Sequence, residues 1–153
     1  MEKLNFKKRV MEEAVRRQES IVSDFRQRIK EIREGEQQPQ DEPVEYDQQG
    51  QEDESALVIN RIGRELDFVI DELDFLKQMR TADNILDEVT LGAIVKTDSM
   101  TFFPSVSLEE FEVEGQKLFG ISKNAPIYKE MKGKKKGDTF AVNGKSYKIM
   151  DLY

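Results

Sequence analysis

Acidic residues cluster around one tyrosine near the middle of the first half of the chain. Asp41, Glu42, Glu45 and Asp47 lie on both sides of Tyr46. Carboxylate oxygens are the ligands that Mg²⁺ takes in proteins, where the ion usually keeps several of its waters. Such a cluster could deliver a ligand to a metal ion held by another protein. The same composition also suits an acidic loop that only keeps the chain in solution.

Lysines form the second group that could carry chemistry. Lys132, Lys134, Lys135 and Lys136 stand on a predicted turn between a helix and a strand, where they could contact nucleic acid or an acidic protein. The alternative is an ordinary solvated turn. Basic residues of the predicted first helix could likewise face RNA or DNA, or simply be solvated: Lys7, Lys8, Arg9, Arg16, Arg17, Arg26, Arg28 and Lys30.

Two residue types that often carry catalytic chemistry are missing from the whole sequence. There is no cysteine, so neither a disulfide framework nor thiolate chemistry is available. There is no histidine either, which removes the commonest general base and the commonest metal ligand. We therefore expect a binding protein rather than an enzyme. The first residues are polar and basic with no apolar run behind them, so we expect no signal peptide, no membrane span and a cytoplasmic location.

Two long helices must position these groups. Residues 4–33 contain no glycine or proline, and their apolar residues follow a heptad spacing in which Lys7, Gln18 and Arg28 fill the gaps. A second heptad series is cleaner and predicts a coiled-coil seam. Its members are Ile59, Ile62, Leu66, Val69, Leu73 and Leu76.

The segment between the helices, residues 34–54, holds nine acids and no base. Pro39 and Pro43 are incompatible with a helix interior, so this segment is predicted to be a polar tip that joins the helices. Neither helix can bury its apolar stripe alone. The simplest solution is an antiparallel hairpin within one chain, and we expect a monomer. A helical dimer between two chains is the alternative.

After Arg80 the pattern becomes typical of strands. Residues 89–95, 100–106 and 116–121 are apolar and β-prone, and Asn143-Gly144 between two such runs is a strong hairpin signal. One short helix is predicted between them, beginning near Pro126 and ending before Gly133. The fold class is therefore α+β, with an antiparallel sheet and one short helix after the helical hairpin.

An ordered series of residues in this C-terminal part resembles the bacterial Gre transcript-cleavage factors. The series is Ile121-Ser122, Pro126-Ile127, Gly133-Lys134, Gly137-Asp138 and Tyr147 with Ile149. Members of that family have an N-terminal coiled-coil hairpin and an FKBP-like C-terminal domain. The resemblance implies a hairpin over residues 1–80, a linker over 81–88 and an FKBP-like domain over 89–153.

The resemblance also implies a function. In the family, the C-terminal domain docks on the rim of the secondary channel of RNA polymerase, and the hairpin enters the channel. Acidic residues at the tip help to hold the second Mg²⁺, and the polymerase then hydrolyses its own backtracked RNA. Here the implied tip residues are Asp41, Glu42 and Glu45, and the implied docking residues are Asn124, Ala125, Pro126 and Ile127. The chain would have no cofactor of its own and would share Mg²⁺ with RNA polymerase, its partner, beside the nascent RNA.

The tip departs from the family pattern. In an ungapped alignment Glu42 takes the position of the family's glutamate, but Pro39 falls where the family has an aspartate. Asp41 could substitute only with a local shift. A regulator that binds the channel without stimulating cleavage is therefore the alternative reading. A prolyl isomerase and a plain coiled-coil adaptor are further alternatives.

Overall fold

Two long helices make up the N-terminal part of the chain. The computed structural model describes residues 1–36 and 48–153. Helix α1 spans Glu2–Glu36 and helix α2 spans Gln48–Gln78. Because no glycine or proline interrupts residues 4–33, every backbone amide from Asn5 onward there can join the i to i−4 hydrogen-bond ladder of α1.

The contacts of the chain divide it into two compact units. One unit consists of residues 17–73, and the other combines residues 1–16 with 74–153. Each long helix therefore contributes to both units. The domain boundaries that the sequence suggested, at residues 80 and 89, remain a prediction.

Apolar residues from both helices fill the unit of residues 17–73. Val22 of α1 is buried, as are Ile62, Val69 and Leu73, which belong to the predicted heptad seam of α2. Alternating spacings of three and four residues keep such side chains on one face of a helix. The seam that the sequence predicts is thus the buried face of α2.

The two helices run antiparallel within this unit. The side-chain amide of Gln18 donates a hydrogen bond of 3.1 Å to the carbonyl oxygen of Val69. Ile29, further along α1, lines a cleft together with Leu66, which comes earlier in α2. Later residues of α1 therefore lie near earlier residues of α2, as in an antiparallel pair.

The other unit is built on a sheet whose strands follow a short 3₁₀ helix at Thr81–Asp83. The strands are β1 (Val95–Thr97), β2 (Thr101–Ser105), β3 (Leu108–Val113), β4 (Gln116–Ser122), β5 (Thr139–Val142) and β6 (Lys145–Leu152). They are arranged in the order β3-β4-β2-β1-β6-β5. Helix α3 (Pro126–Met131) connects β4 to β5. The α+β class predicted from the sequence is confirmed.

The sheet is mixed rather than wholly antiparallel, which corrects one detail of the prediction. Strands β2 and β4 pair in parallel, with Phe102 opposite Phe119 and Pro104 opposite Ile121. The cause is β3, which the sequence reading missed. The chain reverses once between β2 and β3 and again between β3 and β4, so β4 returns to the side of β2 and runs in the same direction.

Both faces of this sheet are covered. Phe102 belongs to a buried cluster that α3 joins through Tyr128 and Met131. The next residue, Phe103, points to the opposite face because side chains alternate along a strand, and it is also fully buried. Phe6 of α1 contributes to the same unit, with its ring 6.4 Å from the ring of Tyr153.

The hairpin between β5 and β6 is the one that Asn143-Gly144 predicts. Both turn residues have positive φ, 51° for Asn143 and 78° for Gly144, as a tight two-residue hairpin turn requires. The register that follows brings Phe140 opposite Tyr147, and their rings stack at a centroid distance of 5.1 Å. In the part of the chain that the structure describes, no helix is long and apolar enough to cross a membrane.

Candidate functional site

The four residues predicted to dock on a partner form one exposed corner at the start of α3. We call Asn124, Ala125, Pro126 and Ile127 the docking segment. It begins with a turn after β4, in which the amide of Ala125 donates a 3.0 Å hydrogen bond to the carbonyl of Ser122. Pro126 then occupies the first turn of α3, where its missing N–H costs nothing and its fixed φ suits the helix.

The docking segment divides between surface and core. Asn124 and Pro126 are exposed, whereas Ala125 and Ile127 are partly buried and pack against the cluster under α3. The segment therefore offers a partner one rigid apolar ring, that of Pro126, with the exposed edges of its two apolar neighbours. Half of the predicted docking set thus also supports the fold.

Aromatic packing beneath α3 holds this corner in place. Tyr128 and Met131 are buried on the inner side of the helix. The Tyr147 ring lies 5.1 Å from that of Phe140 and 5.7 Å from that of Phe102. Aromatic pairs at these separations contribute about 0.5–1.5 kcal/mol beyond their buried area. A short helix of six residues depends on such tertiary packing for its stability.

Lysines precede and follow the docking segment in the chain, one at the turn before it and four on or after α3. Lys123, Lys129, Lys132 and Lys135 are exposed and Lys134 is half-buried; together these five residues are named the lysine surface. The Lys123 ammonium lies 5.6 Å from the centre of the Phe75 ring. The sequence reading singled out three of the five as members of a basic turn, and the structure brings this turn to the end of the helix that carries Pro126.

Backbone hydrogen bonds fix the turn that follows α3. The amide of Gly133 donates to the carbonyl of Val89, and the amide of Val89 donates to the carbonyl of Lys134, both at 2.8 Å. The amide of Gly137 donates to the carbonyl of Ile149, also at 2.8 Å. Gly133 and Gly137 have φ values of 79° and 93°, which glycine adopts without strain. The main chain of the turn is thus held by the body of the unit while the lysine side chains face outward.

A second group of charged residues lies where α1 meets β1 and β6. Lys3 forms an ion pair of 3.1 Å with Asp151, and Arg9 forms one with Glu114. Both pairs line a cleft of about 460 Å³, together with Tyr153. The cleft carries equal numbers of acidic and basic side chains, which gives it no preference for a ligand of one charge.

The two titratable groups at the floor of this cleft are perturbed in opposite directions. Burial, and then the charge of Asp151, raise the pKa of Tyr153 to about 12. Burial alone would raise the pKa of Asp151, but hydrogen bonds from Lys3 and from the Leu152 amide, with the charge of Lys136, outweigh it and lower that pKa.

Lys7 is placed differently from what the sequence reading allowed. It was one of the basic residues that could face RNA or DNA, yet it is only 1% exposed. Its ammonium group donates hydrogen bonds to the carbonyl oxygens of Thr81 and Asn84. The signal was present in the sequence, because Lys7 falls on a heptad position that faces the core. The nucleic-acid interpretation of Lys7 is therefore wrong.

The tip residues Asp41, Glu42 and Glu45 lie outside the described residues. Within residues 1–35 and 54–153, no three acidic side chains converge into a group that could hold a metal ion. The proposed metal chemistry of the tip therefore rests on the sequence.

Comparison with known proteins finds a similar solved structure but no similar sequence family. The chain matches no protein-family model and no curated protein sequence. Among solved structures it matches the crystal structure of GreA factor homolog 1 (Gfh1) of Thermus thermophilus, with 19% sequence identity. The match covers 91% of this chain and 94% of that chain, with a TM-score of 0.34. That TM-score is too low for the match to support a conclusion about this chain.

Proposed function

We propose that this chain is a Gre-like transcription elongation factor, which binds RNA polymerase at its secondary channel and stimulates cleavage of backtracked RNA. In this proposal it is not an enzyme itself, acts as a monomer in the cytoplasm, and assists the hydrolysis that the polymerase performs. The nascent RNA is the substrate.

The observation that supports the proposal best is where the family-like residues lie. Ser122 ends β4, Pro126 begins α3, and Gly133 and Gly137 bracket the turn that follows. The amide of Gly137 donates to the carbonyl of Ile149, so residues far apart in the resembling series meet in one structure. Ile149 is itself buried, so the series combines an exposed corner at the start of α3 with part of the core beneath it.

The architecture before this corner is consistent with the proposal. Two long helices precede the sheet in the chain, and the acid-rich residues 34–54 comprise the end of α1, the beginning of α2 and the sequence that connects them. At a rise of about 1.5 Å per residue, a 35-residue helix such as α1 spans roughly 50 Å.

The tip residues would act by contributing oxygen ligands. Asp41, Glu42 and Glu45 are carboxylates, which suit Mg²⁺ because this ion prefers hard oxygen donors. In a two-metal site the ions stabilise the attacking and leaving oxygens of the displaced phosphodiester. The carboxylates of this chain would hold the second ion beside the one that the polymerase binds, and the excess of acids in residues 34–54 would favour its approach.

A transcript-cleavage assay on backtracked elongation complexes tests this activity. The wild-type chain should shorten the RNA from its 3′ end, and Asp41→Ala with Glu42→Ala should abolish the stimulation while polymerase binding persists. The matched control is Glu52→Ala with Asp53→Ala, which removes two charges from the same acidic segment and should retain cleavage. Equal cleavage by all three proteins would show that Asp41 and Glu42 are not the active carboxylates.

Pro39 gives the second candidate function its support. A proline where the family has an aspartate removes one carboxylate from the expected pair. In this case the wild-type chain would bind polymerase and slow elongation without stimulating transcript cleavage. That result would show that the chain is a regulator of the polymerase rather than a cleavage factor.

A separate experiment tests the docking segment. Pro126→Asp should weaken the capture of purified RNA polymerase, because it puts a charge at the exposed apolar corner. Met150→Asp is the control, since Met150 is 51% exposed on β6 of the same unit and outside the docking segment. If both variants capture polymerase as the wild type does, the docking assignment is wrong.

A further inference from the structure

We propose that the lysine surface is the rim of the docking site and that it takes an acidic protein surface, with Pro126 at the apolar centre of the contact. The inference deepens the proposed function, on which it rests for the identity of the partner. It adds the chemistry that the partner must present around the docking segment.

The lysine surface has an excess of positive charge that the chain itself does not neutralise. Residues 117–148 contain nine lysines and only two acids, Glu130 and Asp138. Asp138 accepts a 2.8 Å hydrogen bond from the backbone amide of Lys135, so this carboxylate caps the turn. Across the described residues, none of the five ammonium groups of the lysine surface forms an ion pair.

Several charges elsewhere in the same unit are paired, and Lys136, which follows the lysine surface in the turn, pairs with Asp151 at 4.0 Å. Lys3 pairs with Asp151, Arg9 with Glu114, and Lys117 with Glu110. Exposed single pairs contribute little to stability, so their presence is no measure of folding energy. The unpaired group around α3 instead creates a local positive potential, which raises the rate of association with an acidic partner.

The main chain under the lysine surface is already ordered. The 2.8 Å hydrogen bonds of Gly133, Lys134 and Gly137 described above fix the turn before any partner arrives. Ordering a free backbone residue costs about 1–2 kcal/mol, so a turn held in this way binds at a smaller entropic cost than a free one. Only the lysine side chains remain to be ordered.

The apolar centre favours a protein partner over nucleic acid. Pro126 and the exposed edges of Ala125 and Ile127 stand among the lysines, and a phosphate backbone offers these groups no apolar counterpart. The only aromatic ring of α3, Tyr128, is 4% exposed and cannot stack on a base. No arginine follows Arg80 in the sequence, so the guanidinium forks typical of base and phosphate recognition are missing. An apolar centre inside a charged rim is the usual anatomy of a protein interface.

Charge reversal on the lysine surface tests the inference. Lys129→Glu with Lys132→Glu reverses two exposed charges, and Lys8→Glu with Lys117→Glu is the matched control. It makes the same change in net charge on α1 and at the far end of β4. Circular dichroism and thermal unfolding establish that both variants fold. Binding is measured to purified RNA polymerase, to poly-L-glutamate and to a short DNA duplex.

The expected result is a roughly tenfold weaker Kd for polymerase in the Lys129→Glu, Lys132→Glu variant, and less than about a twofold change in the control. The affinity of the wild type should also fall between about 50 and 200 mM salt more steeply than that of the variant. Equal affinities of the two double variants for polymerase would overturn the inference.

The other two probes separate failure of the inference from failure of the proposed function. A wild type that does not bind polymerase refutes the proposed function, and poly-L-glutamate then decides about the lysine surface. If only Lys129→Glu with Lys132→Glu weakens the binding of poly-L-glutamate, the result supports an acidic protein partner. If neither double variant changes this binding, the inference is overturned. The inference would also be overturned, in favour of nucleic acid, if the wild type bound the DNA duplex more tightly than poly-L-glutamate and Lys129→Glu with Lys132→Glu lost that binding.

Discussion

The ammonium nitrogen of Lys7 lies 3.3 Å from the carbonyl oxygen of Thr81, at a position where Lys7 is 1% exposed. Burial, only partly opposed by the charge of Asp83, lowers the pKa of Lys7 to about 8. In the unfolded chain this pKa returns to its ordinary value of 10.5. Between these two values the unfolded chain holds a proton that the folded chain has released, so the free energy of unfolding rises with pH in this window.

We predict that Lys7→Met removes this rise, which amounts to about 3 kcal/mol if the whole shift is expressed. Urea unfolding at pH values between 7.5 and 10.5 measures it, as the difference between wild type and variant at each pH. Lys8→Met is the control, because Lys8 is the exposed neighbour on the same helix and should leave the wild-type slope unchanged. Parallel curves for the wild type and Lys7→Met would contradict the burial argument.

Gln18 carries a polar atom that its surroundings do not satisfy. Its amide nitrogen donates to the Val69 carbonyl, but its buried Oε1 has no hydrogen-bond partner among the described residues. A buried unsatisfied acceptor costs about 1–3 kcal/mol, and methionine has a similar length without the polar atoms. We predict that Gln18→Met raises the free energy of unfolding by about 1 kcal/mol.

Chemical denaturation followed by circular dichroism checks the Gln18 prediction. Gln27→Met provides the comparison, because Gln27 is an exposed glutamine of the same helix and should change stability by less than about 0.5 kcal/mol. A destabilised Gln18→Met variant would mean that the hydrogen bond to Val69 outweighs the unsatisfied oxygen.

Leu73 and Phe68 allow a matched test of the coiled-coil seam. Both are large apolar residues of α2, but Leu73 is 8% exposed and Phe68 is 64% exposed. Leu73→Asp should lower the free energy of unfolding by about 3–5 kcal/mol, because it buries a charge without a partner. Phe68→Asp should cost less than about 1 kcal/mol. Similar losses of unfolding free energy in the two variants would show that the buried face of α2 has been assigned wrongly.

Tyr153 should titrate later than an ordinary tyrosine. Its pKa of about 12 lies above the reference value of 10.0. The free energy of unfolding should therefore fall as pH rises from about 10 to 12, because the unfolded chain releases the Tyr153 proton before the folded chain does. The ultraviolet difference spectrum between wild type and Tyr153→Phe should show tyrosinate forming near pH 12. Asp151→Asn should move that midpoint downward by removing one of its two causes, and a midpoint near 10 in the wild type would refute the assignment.

Local patterns in the sequence were sufficient to predict several elements. The heptad spacing of Ile62, Val69 and Leu73 predicted the buried face of α2, and Asn143-Gly144 predicted the β5–β6 turn. Pro126 predicted the start of α3. Each of these signals acts over a few residues through backbone sterics or helix periodicity, so no knowledge of the tertiary structure was needed.

Other features depended on contacts that the sequence does not reveal. Strand β3 was missed because its three acids hide the apolar Leu108, Phe111 and Val113, all of which are buried. The burial of Lys7 depends on carbonyl groups more than seventy residues away, so only the heptad position hinted at it.

The ion pair between Lys3 and Asp151 joins residues that are 148 positions apart in the chain. Because translation proceeds from the N-terminus, Asp151 is added 148 residues after Lys3. The unit that contains residues 1–16 therefore cannot complete its packing until translation has passed Asp151. Until then Phe6 and Val10, buried in the finished fold, remain exposed on a nascent helix. The first turns of α1 accordingly present apolar side chains to a nascent-chain chaperone until residues 74–153 have been made.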